Sequence, residues 1–140
     1  MHSNLQEFSV PFVRISLRDD TPPETRRNIS KGIHRALVDT IGIPEGDRFH
    51  VIGTHSAEDM LYDSSYMGIE YQNIVFIEIT FVQGRSEEKK LNLYRAITDN
   101  LVSGAGMRPQ DVVIVLTEND RANWSIGNGE AQLLKLPPRT

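Results

Sequence analysis

Residues 33–47 read IHRALVDTIGIPEGD, and residues 97–111 read ITDNLVSGAGMRPQD. The two stretches align without a gap, and each aligned pair is 64 residues apart along the chain. The positions that match are the pairs Ile33 and Ile97, Leu37 and Leu101, Gly42 and Gly106, and Asp47 and Asp111. An ungapped match of helix faces, glycines and loop acids indicates an internal duplication.

Each stretch contains the end of a predicted helix, at its matched glycine, because glycine readily adopts the left-handed conformation that closes a helix. The first helix is predicted to begin with Thr21 as its cap, Pro22 at the first helical position and Glu24 completing a capping box. The second is predicted to open at Ser86. In both, the apolar residues recur on one face.

Apolar runs flank both helices. The predicted strands are Phe12–Leu17, Phe49–Thr54, Ile74–Val82 and Val112–Leu116. The repeats, about residues 11–54 and 74–118, are then βαβ units, which predict an α+β fold with a four-stranded sheet and two helices on one face. A length of 140 residues suits one core, so we expect a single domain over residues 11–140. Residues 1–10 form a leader of uncertain status.

The second face of the sheet needs a partner. Residues 74–77 are all apolar, which predicts a strand buried on both faces, whereas the helices cover only one. Self-association is the simplest way to cover the other. Leu133, Leu134 and Leu136 can attach the polar C-terminal tail to a neighbour.

Composition excludes several classes of function. The chain has no cysteine, which removes disulfides, thiolate nucleophiles and sulfur-ligated zinc. Its net charge of -4 argues against nucleic acid as a partner. No apolar run approaches the roughly 20 residues of a membrane span, so we expect no membrane association and a cytoplasmic location. His50 and His55 would point to opposite faces of a strand, so no metal site is predicted.

Four motifs carry a family resemblance: PFVRISL at 11–17, GIPEGDRF at 42–49, GRSEEKK at 84–90 and NWSIGNGEAQ at 123–132. Together they resemble the tautomerase superfamily, and most closely its malonate semialdehyde decarboxylase-like branch. The resemblance runs from Pro11 to about Leu136. It implies a βαββαβ fold assembled as a homotrimer, an active site near the first strand of each subunit and no cofactor.

Pro11 matches the catalytic amino-terminal proline of that family. A free prolyl amine titrates near pH 7.7–8.0, so it can act as a base or an acid at neutral pH. Ten residues precede Pro11 here, and within a chain its nitrogen is an amide without basicity. Three explanations stay open: a start upstream of the natural one, proteolytic trimming, or a loss of amine catalysis. Without the resemblance, Pro11 would simply be a proline that opens a strand.

Two further residues match catalytic positions of the family. Arg85 matches an arginine that binds the substrate carboxylate, a role that suits its bidentate fork. Asp47 matches an aspartate that activates or orients water and holds the carbonyl end. Each has a plainer interpretation, since Arg85 precedes a helix cap and Asp47 follows a turn. The repeat partner Asp111 favours a structural role for Asp47 as well.

The remaining site residues match substrate-binding positions. Gln83 stands where the decarboxylase has a second arginine, so it can hydrogen-bond the substrate but brings no charge. Trp124, Ile126 and Leu133 match a hydrophobic wall of the pocket, and packing of the tail is an equal alternative.

These residues predict a cofactor-free tautomerase that acts on small oxo acids through Pro11, if the amine is exposed. A decarboxylase-like lyase is the first alternative, and a hydratase or dehalogenase acting on an unsaturated acid would depend more on Asp47. A catalytically silent trimeric binding protein is the alternative if the leader is retained.

Overall fold

The computed structural model describes residues 10–136, and its elements follow the two repeats. The first repeat contains β1 (Phe12–Arg18), α1 (Pro23–Ile41) and β2 (Phe49–His55). A small hairpin of β3 (Ser65–Tyr66) and β4 (Ile69–Glu70) lies in the segment that links the repeats. The second repeat contains β5 (Val75–Val82), α2 (Glu87–Ala105) and β6 (Val112–Asn119). Short 3₁₀ turns complete the connections and the tail.

The four long strands form one mixed sheet in the order β2-β1-β5-β6. Each repeat contributes a parallel pair, and the repeats meet through the antiparallel pair β1 and β5. Phe12 lies opposite Thr80 in this central pair, so the chain enters β1 beside the point where it leaves β5. The predicted duplicated βαβ fold is confirmed.

Both helices lie on one face of the sheet, as predicted, and bury the main core between them and the strands. The helices approach each other closely at Gly32, where an added Cβ would lie 2.9 Å from Leu101 Cδ2. Asn100 Nδ2 also donates a hydrogen bond to the Gly32 carbonyl at 2.9 Å. The described residues of this core begin at Val13, and none of residues 10–12 is among them.

The helix ends confirm three of the predicted signals and correct one. Gly42 and Gly106 close α1 and α2 with φ values of 83° and 68°. Ser86 caps α2, since its side chain accepts a hydrogen bond from the Lys89 N–H. The prediction of Thr21 as a cap and Pro22 as the first helical residue is wrong. Pro22 is itself the cap residue, with ψ at 147° and no side-chain bond, because the proline that follows it disfavours the helical conformation.

The face of the sheet away from the helices carries both apolar and charged residues, and we call it the outer face. In β5, burial alternates, so Phe76 is half-buried and Glu78 is exposed on the outer face. Register places Val51 and Val115 in the same row as Glu78, and they are 46% and 53% exposed. The lack of alternation at residues 74–77 arises because Ile74 precedes the strand and Phe76 is an apolar residue of the outer face.

Within residues 10–136, no helix is both long enough and apolar enough to cross a membrane. The same residues contain no group of three or more histidine and acidic side chains placed to hold a metal ion.

Candidate active site

Pro11 is buried and immediately precedes β1, which begins at Phe12. Its nitrogen is bonded to the carbonyl carbon of Val10, which is also buried. Val10 has a φ of 43°, in the left-handed region, and its N–H donates a hydrogen bond to Asp47 Oδ2 at 3.2 Å. The residue attached to the Pro11 nitrogen is therefore hydrogen-bonded to a buried carboxylate.

The parallel pairing of β1 and β2 brings these residues together. Phe12 pairs with Phe49, and Val10 and Asp47 each lie two residues before this pair. The two residues therefore meet at the same end of the sheet. Asp47 is 5% exposed and ends a turn in which its N–H bonds the Pro44 carbonyl at 3.1 Å. Gly42 starts this return of the chain by closing α1.

Asp111 shows what the matched aspartate does in the second repeat. It is 3% exposed and accepts hydrogen bonds from the Gln72 N–H at 2.9 Å and from Arg108 at 3.3 Å. Asp47 and Asp111 thus both hold the chain that enters the first strand of their repeat. Because β1 and β5 are antiparallel, the two aspartates lie at opposite ends of the sheet, and Asp47 lies at the end with Pro11.

Arg85 and Gln83 follow β5 and so lie at the same end of the sheet as Pro11. Arg85 is buried, with its Nη1 3.4 Å from the Val82 carbonyl and its guanidinium carbon 5.9 Å from the centre of the Phe81 ring. Gln83 is exposed, and its Nε2 donates to Asp120 Oδ1 at 2.5 Å. Gln83 is therefore attached to the segment that follows β6.

The tail supplies an apolar lining for this end of the sheet. Val10, Val82 and Leu133 form a buried cluster, against which Trp124 and Leu136 pack. Three anchors hold the tail. Trp124 Nε1 donates to Asn119 Oδ1 at 2.6 Å, Arg121 donates to the carbonyls of Leu133 and Leu136, and the Ile126 N–H donates to Gln132 Oε1 at 2.8 Å.

A cavity of about 370 Å³ opens beside this cluster. Its lining residues are Val10, Gly46, Asp47, Phe49, Ile126, Gln132, Leu133 and Leu136. The structure thus brings together three of the predicted site residues, Asp47, Ile126 and Leu133, next to the residue that precedes Pro11. Within residues 10–136, the other four predicted site residues, Pro11, Gln83, Arg85 and Trp124, lie outside this lining.

Five residues of the cavity were absent from the predicted site: Val10, Gly46, Phe49, Gln132 and Leu136. Register would have indicated Phe49, since it pairs with the residue after Pro11. Val10 belongs to the predicted leader, and its positive φ has no signal in the sequence, because β-branched residues rarely adopt it.

A larger recess of about 600 Å³ lies on the helix side of the molecule, between α1, α2 and the turn before β2. A partly buried polar network lies close to it. Ser30 Oγ is 2.8 Å from His50 Nδ1 and accepts a hydrogen bond from Arg48 at 2.7 Å. Burial lowers the pKa of His50 to about 4, and the charges of Arg48 and His34 add to this shift. His50 is therefore neutral near pH 7.

Two overlapping family models, both described as tautomerase enzyme, match residues 47–127 and 11–66. "Probable tautomerase YusQ" of Bacillus subtilis (strain 168) is 35% identical over 127 residues, which cover 90% of this chain and 100% of the relative.

The solved structures extend this likeness to the whole fold. FG41 malonate semialdehyde decarboxylase, inhibited by 3-bromopropiolate, has a TM-score of 0.83 at 34% identity over 89% of this chain and 95% of that one. A second malonate semialdehyde decarboxylase, described in wild-type, mutant and inactivated forms and with decarboxylase and hydratase activities, has a TM-score of 0.82 at 28% identity over 89% and 96%. Fused 4-OT proteins described as trimers share the fold alone, at TM-scores of 0.70 to 0.72 and 17 to 20% identity.

One family model spans more than half of the chain, and a relative more than 30% identical matches nearly all of it. The four sequence motifs, the duplicated fold and these matches agree. The chain therefore belongs to the tautomerase superfamily, on the branch that includes malonate semialdehyde decarboxylase.

Proposed function

We propose that this protein is a cofactor-free tautomerase that interconverts the keto and enol forms of small oxo acids, with Pro11 as its amino-terminal amine. The observation that carries the proposal is the hydrogen bond from Val10, the residue attached to the Pro11 nitrogen, to the buried carboxylate of Asp47. This bond reflects the pairing of β1 and β2, which places a potential amine and a carboxylate beside an apolar cavity at one end of the sheet.

The proposed reaction needs two proton transfers. In the direction of the keto form, the protonated amine of Pro11 donates a proton to carbon 3 of the enol, and the enol hydroxyl gives its proton to Asp47. Return of that proton from Asp47 to the amine, through solvent, restores both groups. The α-amino pKa near 7.7–8.0 allows both protonation states near neutral pH.

Arg85 and Gln83 would hold the substrate at the end of β5. A buried guanidinium is a strong partner for a carboxylate, whereas the neutral amide of Gln83 adds a hydrogen bond only. Trp124, Ile126 and Leu133 would form the apolar wall, with Leu133 and Ile126 at the cavity itself. A low local polarity strengthens the electrostatic contacts of the substrate with Asp47 and Arg85.

Assembly is part of the proposal. We infer that the outer face and the edge strands β2 and β6 are covered in a homotrimer. The exposed apolar residues on this face and the family resemblance support this arrangement. A long unpaired edge strand favours pairing with another chain.

The first test compares protein that begins at Pro11, verified by intact mass, with the chain of residues 1–140. Ketonisation of phenylenolpyruvate, followed by absorbance, is expected only when Pro11 is the first residue. A variant that begins with alanine in place of Pro11 serves as the matched control and should lose about 100-fold or more in kcat/KM. A rate no higher than that of buffer, for this and other small oxo acids, would refute the proposal.

Decarboxylation of a β-oxo acid is the second candidate, favoured by the likeness to two malonate semialdehyde decarboxylases. In that reaction the cationic amine polarises the carbonyl, and the carboxylate leaves as carbon dioxide. Release of carbon dioxide from malonate semialdehyde that exceeds the rate of tautomerisation would favour this candidate. Hydratase chemistry would instead fail with Asp47→Asn while Pro11→Ala retained activity.

Retention of the leader leads to a third outcome. The chain of residues 1–140 has an amide at Pro11, and Val10 occupies the place beside Asp47. If protein isolated from its own cells has the intact mass of the full chain, the proposal of amine catalysis fails and a silent binding protein takes its place.

A further inference from the structure

Val10 lies where a substrate of Pro11 would react. Its carbonyl carbon is bonded to the Pro11 nitrogen, and an atom that exchanges a proton with that nitrogen must approach to about 3 Å. Its N–H bonds Asp47, the other group of the proposed reaction. The backbone of Val10 therefore fills the reaction volume, and we call the space that its backbone and side chain fill the Val10 subsite.

The walls of the Val10 subsite are set by the rest of the molecule. The φ of 43° is a conformation that β-branched residues rarely adopt, so the surroundings must hold Val10 in it. The isopropyl group is enclosed, with Val10 only 7% exposed, against Val82 and Leu133. Val82 belongs to β5 and Leu133 to the anchored tail, so both walls come from parts of the chain outside the leader.

The subsite is continuous with the cavity of about 370 Å³, because Val10 itself lines that cavity. In protein that begins at Pro11, the subsite is vacated and joins the cavity. The vacated space has an apolar side, where the isopropyl group packed, and a polar side at Asp47. Among the described residues, the main core begins at Val13, so Val10 is not one of its members and we expect the fold to tolerate its loss.

We propose that this site selects oxo acids with a short, branched aliphatic side chain, which binds where the isopropyl group of Val10 packs. This inference rests on the proposed function, because it requires Pro11 to be the first residue. Each methylene group that a ligand buries strengthens binding by about fourfold. A branched four-carbon side chain should therefore bind at least tenfold more tightly than a methyl group, after the cost of ordering it.

Binding of 2-hydroxy acids, which cannot tautomerise, tests the inference without turnover. Calorimetry on protein that begins at Pro11 would compare 2-hydroxypropanoate, 2-hydroxyhexanoate and 2-hydroxy-4-methylpentanoate. We expect the branched acid to bind at least tenfold more tightly than the three-carbon acid and about threefold more tightly than its linear isomer. Equal dissociation constants for the three acids would overturn the inference.

Two substitutions locate the effect. Val82→Phe fills the Val10 subsite and is expected to reduce the preference for the branched acid to less than threefold. Leu136→Phe, which narrows the cavity from the tail, provides a second variant if Val82→Phe unfolds. Val102→Phe changes an exposed valine of α2 and should keep the full preference. A preference that survives both filling substitutions in folded protein would contradict the inference.

The chain of residues 1–140 is the last comparison. Val10 fills the subsite in it, so the branched acid should bind at least tenfold more weakly than to protein that begins at Pro11. Equal binding to both proteins would overturn the inference. Selective binding without turnover would reject the proposed function alone, whereas turnover without selectivity would reject this inference alone.

Discussion

Asp47 and Asp111 occupy the same position in two repeats, yet only Asp47 borders the cavity. In protein that begins at Pro11, Asp47→Asn should lower kcat/KM for a small oxo acid by about 100-fold, because the amide cannot accept the enol proton. Asp111→Asn should leave kcat/KM unchanged and cost about 1–2 kcal/mol of unfolding free energy, because it weakens the contact with Arg108 and the hydrogen bond from Gln72.

Steady-state kinetics and urea unfolding of both variants check this pair of outcomes. If Asp47→Asn lost only stability, as expected for Asp111→Asn, the two aspartates would share a purely structural role. The catalytic assignment of Asp47 would then be wrong.

His50 should make stability depend on pH. Its pKa in the folded protein is about 4, below the ordinary value of 6.5, so the unfolded chain takes up a proton first as pH falls. Unfolding free energy should decrease between about pH 6.5 and pH 4, and the loss is complete below pH 4. We expect a loss of about 2 kcal/mol, less than the full shift implies, because the ring is partly exposed and solvent screens its charge.

Urea unfolding at several pH values between 4 and 7 measures this decrease. His50→Gln retains a group that can bond Ser30 but does not titrate, so its stability should decrease less over the same range. Parallel curves for the two proteins would show that His50 does not cause the pH dependence.

The sequence predicted part of the cavity lining and missed the rest. Asp47, Ile126 and Leu133 do line one cavity, because strand register and the tail motif bring them there. Val10 was missed, since a valine gives no sign of a left-handed conformation or of a long-range bond to an aspartate 37 residues away. The roles of Pro11, Arg85 and Gln83 stay predictions until they are tested.

At the level of elements, the two helices begin differently. Ser86 caps α2 with its side chain, whereas Pro22 caps α1 without such a bond. Ser86→Ala should therefore lower the free energy of unfolding by about 1 kcal/mol, and Thr21→Ala by less than about 0.5 kcal/mol. Urea unfolding of both variants measures the difference. Equal losses would mean that the hydroxyl of Thr21 supports its helix as much as that of Ser86.

Element boundaries were predictable where one physical rule acted alone. Gly42 and Gly106 close their helices as expected, because a left-handed residue after a helix favours glycine. The start of α1 was not predicted correctly, because two consecutive prolines compete for the first helical position. β6 extends to Asn119, three residues beyond the predicted Leu116, since pairing with β5 holds polar residues that local propensity does not favour in a strand.

For the whole molecule, the proposed assembly depends on the outer face. Its central row contains the exposed valines Val51 and Val115 on either side of Arg14 and Glu78, so it combines apolar and charged contacts. The helices cover only the other face. An exposed apolar surface with charged residues among it is typical of a protein interface. The homotrimer proposal therefore depends on this face and on the edges beside it.

Val115→Glu should prevent assembly, because it would place a second carboxylate beside Glu78 in the proposed interface. Analytical ultracentrifugation is expected to show a particle of three chains for the wild type and of one chain for this variant. Val102→Glu, which adds the same charge to an exposed valine on α2, should remain a trimer. A wild-type monomer would reject the trimer outright. If Val102→Glu dissociated while Val115→Glu stayed trimeric, the helical face would be the one that forms the interface.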